Sequence, residues 1–342
     1  MLFEYSEPHT NFEKFLGGYY YVNAFGPIEQ GDDDKFQAFI ANHSPSARST
    51  IYIDSVGGDV ETAIAIGFMI RKGWYSTAIE QYRMDPNHTK NNILQRNLSD
   101  GHCYSAATLL FIGGKLRYFS AGAKFGVHQF SFKNPSPSHI SSSQILSAKI
   151  ANYVVAMGIA PEFLEISSVA PPEQLTLVDE PTLQKLNVVT GGHTSIEWTM
   201  QARDSMLYVR GKRDTLYGHQ KVMLCYTKSL GFMFWSVFEA QGREDELIYF
   251  SVVEIILNDE LTRIDISERC ERLISGIYLN VTARISNEEA RKIAFSDSFG
   301  VQIKFSTDAP VFFGVSAIST EGGNEQLETF YETLSSGYST TD

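Results

Sequence analysis

A chain of 342 residues with a formal net charge of -12 is too long for one small core, and too acidic to have nucleic acid or an anionic membrane as its main partner. Apolar residues at 43% and aromatic residues at 13% are the composition of a packed globular protein and exclude a disordered one. Three widely spaced cysteines, Cys103, Cys225 and Cys270, allow neither a disulfide framework nor a zinc-ribbon spacing, which fits a reducing compartment.

The opening run Met1–Pro8 carries acids where a secretory signal needs a basic region and a long apolar stretch. No later stretch is long and uncharged enough to cross a bilayer, since Glu254 interrupts Leu247–Leu257. A soluble, cytoplasmic protein is expected, although trimming of a leader would leave the same sequence in a periplasmic protein.

Taken in order, Tyr19–Ala24 is aromatic and β-branched and predicts a strand. Asp32–Asn42 has acids at its start and Phe36, Phe39 and Ile40 on one face, as an amphipathic helix requires. Ser49–Asp54 predicts a buried strand that feeds the turn Ser55-Val56-Gly57-Gly58. Val60–Lys72 then carries an apolar helical stripe that stops at Gly73, and Tyr75–Ile79 is the next strand. From Gln81 to Asp100 the chain turns polar and charged and is expected to be a long loop. The alternation resumes with a helix over Ser105–Gly113 and strands over Leu116–Phe119 and Lys124–His128, a pattern that predicts an α/β layer architecture. Lys133–Ser138 is expected to be a flexible connection, followed by a long helix over Ser141–Met157 and a short one over Pro161–Ser168. A last helix starts at the N-cap Asp179 and closes at Asn187.

Gly191-Gly192 marks the expected domain boundary, giving domains over 1–192 and 193–335 and a polar tail over 336–342. Beyond it the period becomes alternating, with strand-like runs from Met206–Val209 to Val311–Ile318. Only Asn287–Ala294 and the segment after Gly323 read as helices. A β-rich, sandwich-like second domain is expected.

Three pieces carry possible chemistry: the turn at Gly57 and Gly58, Ser105 at a helix start, and His128 at a strand end. A serine is a poor nucleophile at neutral pH and needs a base within hydrogen-bond reach, which histidine supplies. Glycines let bare backbone approach a carbonyl oxygen, and the N–H of Ala106, next after the serine, is a natural second donor to an oxyanion. Each piece has a plainer reading. Ser105 alone would be a helix cap, His128 alone a strand histidine, Asp179 a cap, and Glu173 a solvated loop acid. Cys103 reads as a small buried hydrophobe, or as a redox-sensitive thiol because it stands two residues before Ser105. The remaining histidines have no metal spacing, and neither a metal nor a cofactor is expected. Both the Walker lysine and the spaced dinucleotide glycines are absent.

In their order these motifs resemble the Clp protease proteolytic subunit and the wider Clp/crotonase superfamily, whose pattern is N-S-P-G-G after a strand, then G-x-A-A-S, then I-H-Q. The counterparts here are Asp54-Ser55-Val56-Gly57-Gly58, Gly101-His102-Cys103-Tyr104-Ser105 and Val127-His128-Gln129, with 23 residues from serine to histidine. The resemblance is greater to bacterial Clp-like proteins that carry G-x-C-x-S-A and a P-P-acid motif, and it spans Tyr19–Thr190. It implies a spiral of β-β-α units, a serine peptidase with Ser105 as nucleophile and His128 as base, and Gly57 or Gly58 with Ala106 as oxyanion donors. It also implies a peptide or protein substrate and a homo-oligomer built partly through the long helix from Ser141. The third triad member is where the pattern departs. Aligning Leu186-Asn187-Val188-Val189 with the family's G-L-V-D ending puts Leu175 at the acid position, leaving Glu173 or Asp179 as the candidate acid. A catalytically silent binding or scaffold protein is the alternative, and an acyl-CoA enzyme of the crotonase type ranks last because it needs no serine-histidine pair.

Overall fold

The computed structural model describes residues 1–16, 19–90, 92–130, 139–171 and 173–336. The connection expected over Lys133–Ser138 and tail residues 337–342 lie outside the described residues. The chain divides into two compact units, Met1–Gly192 and His193–Asp342.

The first unit runs β1 (Leu2–Ser6), α1 (Asn11–Leu16), β2 (Tyr21–Phe25), α2 (Asp32–His43), β3 (Thr50–Asp54), α3 (Val60–Lys72) and β4 (Ser76–Ala78). It continues with β5 (Glu80–Lys90), β6 (Ile93–Asp100), β7 (His102–Tyr104), α4 (Ala106–Ile112), β8 (Arg117–Tyr118) and β9 (Lys124–Val127). It closes with α5 (His139–Ala156), α6 (Glu162–Val169), β10 (Thr176–Leu177) and α7 (Glu180–Lys185). A five-stranded sheet has the order β1-β2-β3-β4-β8, in which β2, β3, β4 and β8 are parallel and β1 is antiparallel to β2. A second, three-stranded sheet has the order β10-β9-β7. Helices α3 and α4 supply Ile66, Ile70, Leu110 and Phe111 to one core with Ile51, Ile53 and Phe125 of the strands. At α3, Gly67 admits the Tyr153 ring of α5, whose hydroxyl donates to the Leu109 carbonyl of α4 at 2.8 Å.

The segment 81–100 is not a loop. It forms the antiparallel hairpin β5-β6, with Glu80 opposite Asp100 and Lys90 opposite Ile93. Polar residues fall on both faces of the two strands, so no apolar period announces it. What secures it is a contact remote in sequence. The buried Glu13 carboxylate of α1 accepts from Arg96 at 2.6 and 3.0 Å and from the Leu94 N–H at 2.7 Å, with the His9 N–H at 2.8 Å beside them. Tyr19 lies over the guanidinium at 4.3 Å.

The second unit contains β11 (Glu197–Arg203), β12 (Met206–Thr215), β13 (Gly218–Thr227), β14 (Gly231–Glu239), α8 (Glu244–Tyr249), β15 (Val252–Leu257) and β16 (Thr262–Asp265). It ends with β17 (Cys270–Ser275), β18 (Tyr278–Arg284), α9 (Asn287–Ala294), β19 (Ser298–Lys304), β20 (Phe313–Ser319) and α10 (Asn324–Ser335). A six-stranded antiparallel sheet, β11-β12-β13-β14-β18-β17, and a four-stranded one, β16-β15-β19-β20, supply one apolar core. Phe234 and Phe299 meet across it, and α9 and α10 add Ile293 and Phe330. Helix α9 starts on a capping box between Ser286 and Glu289, as its sequence spacing dictates.

The Arg96 hydrogen bonds hold the Glu13 carboxyl well below the usual carboxylate range, against the opposing effect of burial. A carboxyl lowered in the folded state stabilises the fold fully above its unfolded pKa, about 4.3, and this stabilisation is lost as the pH falls below it. Arg96→Met is expected to cost about 3 kcal/mol or more in denaturant unfolding at pH 7, because it strands a buried carboxylate. Glu13→Gln should flatten the acid-side fall of the melting temperature below about pH 4.3 relative to the parent.

Candidate functional site

The site is assembled where two strand-to-helix turns touch. After β3, Ser55 donates its N–H to the His102 carbonyl at 2.7 Å, and its carbonyl accepts from the Tyr104 N–H at 3.0 Å, so β3 is continued beside β7. Its hydroxyl donates to the Gly26 carbonyl at 2.7 Å and accepts the Gly57 N–H at 3.1 Å. Gly57 and Gly58 have φ of 94° and 146°, a region L side chains rarely adopt. Space excludes side chains there as well. A Cβ at Gly57 would stand 2.6 Å from the Tyr104 oxygen and 2.8 Å from Ser105 Cβ, and one at Gly58 would stand 2.0 Å from the Ile28 oxygen.

Ser105 precedes α4 with φ 54° and ψ -128°, a strained backbone for a residue with a side chain. Its N–H donates to the Gly126 carbonyl at 2.9 Å, which ties the turn to β9. The hydroxyl makes no cap bond to the helix, so the plain reading of Ser105 as a cap does not describe it. Ser105, Ala106 and His128 all line one cavity of about 520 Å³, walled by α5 and α6 through Ser147, Ile150, Phe163 and Leu164. These wall residues escaped the sequence reading, because their helical stripes read equally well as core.

His128 follows β9 and is half-buried, with Nδ1 2.7 Å from the carbonyl oxygen of Gln129. A carbonyl can only accept, so Nδ1 is the donor here, and in the neutral ring Nε2 keeps the lone pair. Among the described residues, Ser105 Oγ and His128 share the cavity without a hydrogen bond between them, and no carboxylate bonds to the imidazole. The candidate acids lie elsewhere. Asp179 caps α7, accepting the Thr182 N–H at 3.1 Å, and this hydrogen bonding lowers its pKa. Glu173 is exposed on the segment before β10. Strand β10 pairs with β9 through Thr176 opposite Val127 and Leu177 opposite Gly126, and Leu175 comes just before the paired residues. The Leu175 side chain lies against Gly126, where a Cβ would meet it at 2.8 Å.

Cys103 is completely buried, and burial, with Asp54 adding to it, pushes its thiol far up. That leaves an inert thiol instead of a redox-sensitive one. His102 stands with Nδ1 3.2 Å from Asp54 Oδ1, the carboxylate oxygen that also accepts the His102 N–H at 2.8 Å. No signal in the sequence paired them beyond their places beside the two turns. No helix among the described residues is long and apolar enough to cross a membrane.

No family model matches the chain, and no curated protein matches it by sequence. Solved structures that are similar to part of it include two of ClpP. A ClpP1 mutant from Listeria monocytogenes is 14% identical with a TM-score of 0.35, covering 49% of this chain and 86% of its own. The ClpP protease catalytic domain from Plasmodium falciparum is 14% identical with a TM-score of 0.34, covering 49% of this chain and 80% of its own.

Because both backbone angle and space exclude a side chain at Gly57, Gly57→Ala is expected to lower stability by about 2 kcal/mol or more. Chemical denaturation of the purified variant measures it, and a loss below about 0.5 kcal/mol would mean that the two turns do not meet as described.

Proposed function

We propose that the unit Met1–Gly192 is a serine hydrolase, a peptidase acting on peptide or protein substrates. The observation that carries this reading is an uncapped serine, held at a strained backbone angle, in the same cavity as a histidine whose Nε2 is free to accept a proton. Ser105 Oγ attacks the amide carbonyl while His128 Nε2 takes its proton, and the imidazolium returns that proton to the leaving amine. Water then resolves the acyl-enzyme by the same route. The Gly57 N–H is already committed to Ser55 Oγ. That leaves the N–H groups of Gly58 and Ala106 for the oxyanion. The chemistry asks for no metal or cofactor. Clp-like assembly as a homo-oligomer and partner selection by the β-rich unit complete the proposal, in a soluble cytoplasmic setting.

The second reading, a catalytically silent scaffold, draws on the missing Ser105–His128 hydrogen bond. Such bonds are often long in unliganded enzymes and close in the substrate complex, which favours the first reading. Labelling with a fluorophosphonate separates the two. Ser105 is expected to be modified, Ser105→Ala to abolish labelling, and His128→Ala to slow it by about a hundredfold or more. A folded parent that takes no label would sink the enzyme reading.

A further inference from the structure

We propose that the imidazole of His128 is oriented by the main-chain carbonyl of Gln129 and by no carboxylate, with Gln129 as the positioning residue of the site. The inference deepens the hydrolase reading and rests on it for its kinetic consequences, though the orientation itself does not.

Three observations converge on Gln129. Its carbonyl oxygen is 2.7 Å from His128 Nδ1. Its N–H donates to the Ala170 carbonyl at 2.9 Å, and its side-chain amide donates to the Ser168 carbonyl. The residue therefore fastens the end of β9 to the end of α6 at two points, which holds the residue whose carbonyl oxygen faces the imidazole. On the neighbouring strand, the residue just before Thr176, which pairs with Val127, is Leu175, and it carries no acid. Asp179 is spent on the α7 cap.

A carbonyl fulfils two of the three duties of a triad acid. It selects the Nδ1–H tautomer and holds the ring, but it stabilises the imidazolium less than a full negative charge does. Proton movement is unaltered: Nε2 receives the serine proton, Nδ1 keeps its own throughout, and Gln129 neither gains nor loses one. Gln129 thus acts through His128 and touches no reacting atom.

The test has two arms. In the first, 15N-histidine NMR of the full chain, with His128→Ala assigning the signal, is expected to show His128 protonated at Nδ1 in the parent and unchanged in Glu173→Gln and Asp179→Asn. A proton on Nε2, or a tautomer change in either acid variant, overturns the proposal whether or not the protein is an enzyme. In the second arm, fluorophosphonate labelling of Ser105 is followed. Glu173→Gln and Asp179→Asn are expected to label within about twofold of the parent, and Gln129→Ala about tenfold more slowly. Adding Leu175→Asp to Gln129→Ala should restore the rate by about tenfold, where Leu175→Asn does not, because only the carboxylate can take over the ring. A merely structural role for Gln129 would be rescued by neither. A tenfold loss in either acid variant, or no charge-specific rescue, would overturn the assignment. An unlabelled parent leaves the NMR arm to decide it, which separates failure of this inference from failure of the hydrolase reading.

Discussion

The site depends on one close contact between bare backbones. Gly57 lies against Tyr104, Ser105 and Ala106, and Gly58 against Ile28, with no room for a Cβ at either. Through that contact the turn after β3 and the turn before α4 become one surface, and their N–H groups share one region. The hydrogen bonds follow the same logic. Ser55 extends β3 along β7, Ile28 donates its N–H to the Gly57 carbonyl at 2.8 Å, and Asp59, the N-cap of α3, donates back to Ile28 at 2.9 Å. Any substitution that pushes these turns apart moves the serine, the glycine N–H groups and the entry to α3 together.

A strained residue persists only where its surroundings over-determine it. Around Ser105 that determination comes from α4, whose seven residues Ala106–Ile112 are all buried. Its carboxyl end is held by two arginines. Arg71 donates to the carbonyls of Ile112, Gly113 and Gly114, and Arg117 to those of Gly114, Asn187 and Val188. Burial, and then the charge of Arg71, pushes the Arg117 guanidinium down to about 9. The group therefore stays charged at neutral pH, and its carbonyl partners compensate the desolvation that hydrogen bonding must offset. Two cations at the carboxyl end also complement the helix dipole, leaving its positive end toward Ser105.

The parts legible in the sequence are those fixed by short-range pattern. The apolar stripe of Val60–Lys72 and its stop at Gly73, the cap at Asp179, and the change to period-two alternation after Gly192 all follow from local chemistry. The β5-β6 hairpin was illegible because its strands carry polar residues on both faces, and its anchor, Glu13, lies far away in sequence. Strand β1 and helix α1, of five and six residues, are too short for a period to declare itself. At the site, motif order pointed to Ser105 and His128, but it could not show which residues of β10 face β9. That is a matter of register between β9 and β10, and one residue of slip would change the facing side chain. The clamp of Gln129 on the end of α6 was equally hidden, because its acceptors are main-chain carbonyls, which carry no sequence signal.

Orientation and charge stabilisation are separable duties in a serine-histidine site, and in the proposed hydrolase they would come from different sources. The ring is held by a backbone carbonyl, which is insensitive to pH and needs no ionised partner. In the proposed hydrolase, the positive charge developing on His128 and the negative charge on the substrate oxygen would rely on each other, and on the surrounding polarity, more than on a fixed carboxylate. Walls such as Val60, Leu109, Ile150 and Phe163 lower the local dielectric, so the attraction between these two transient charges is stronger than it would be in water. Without a buried carboxylate, the resting cavity also avoids the cost of desolvating one.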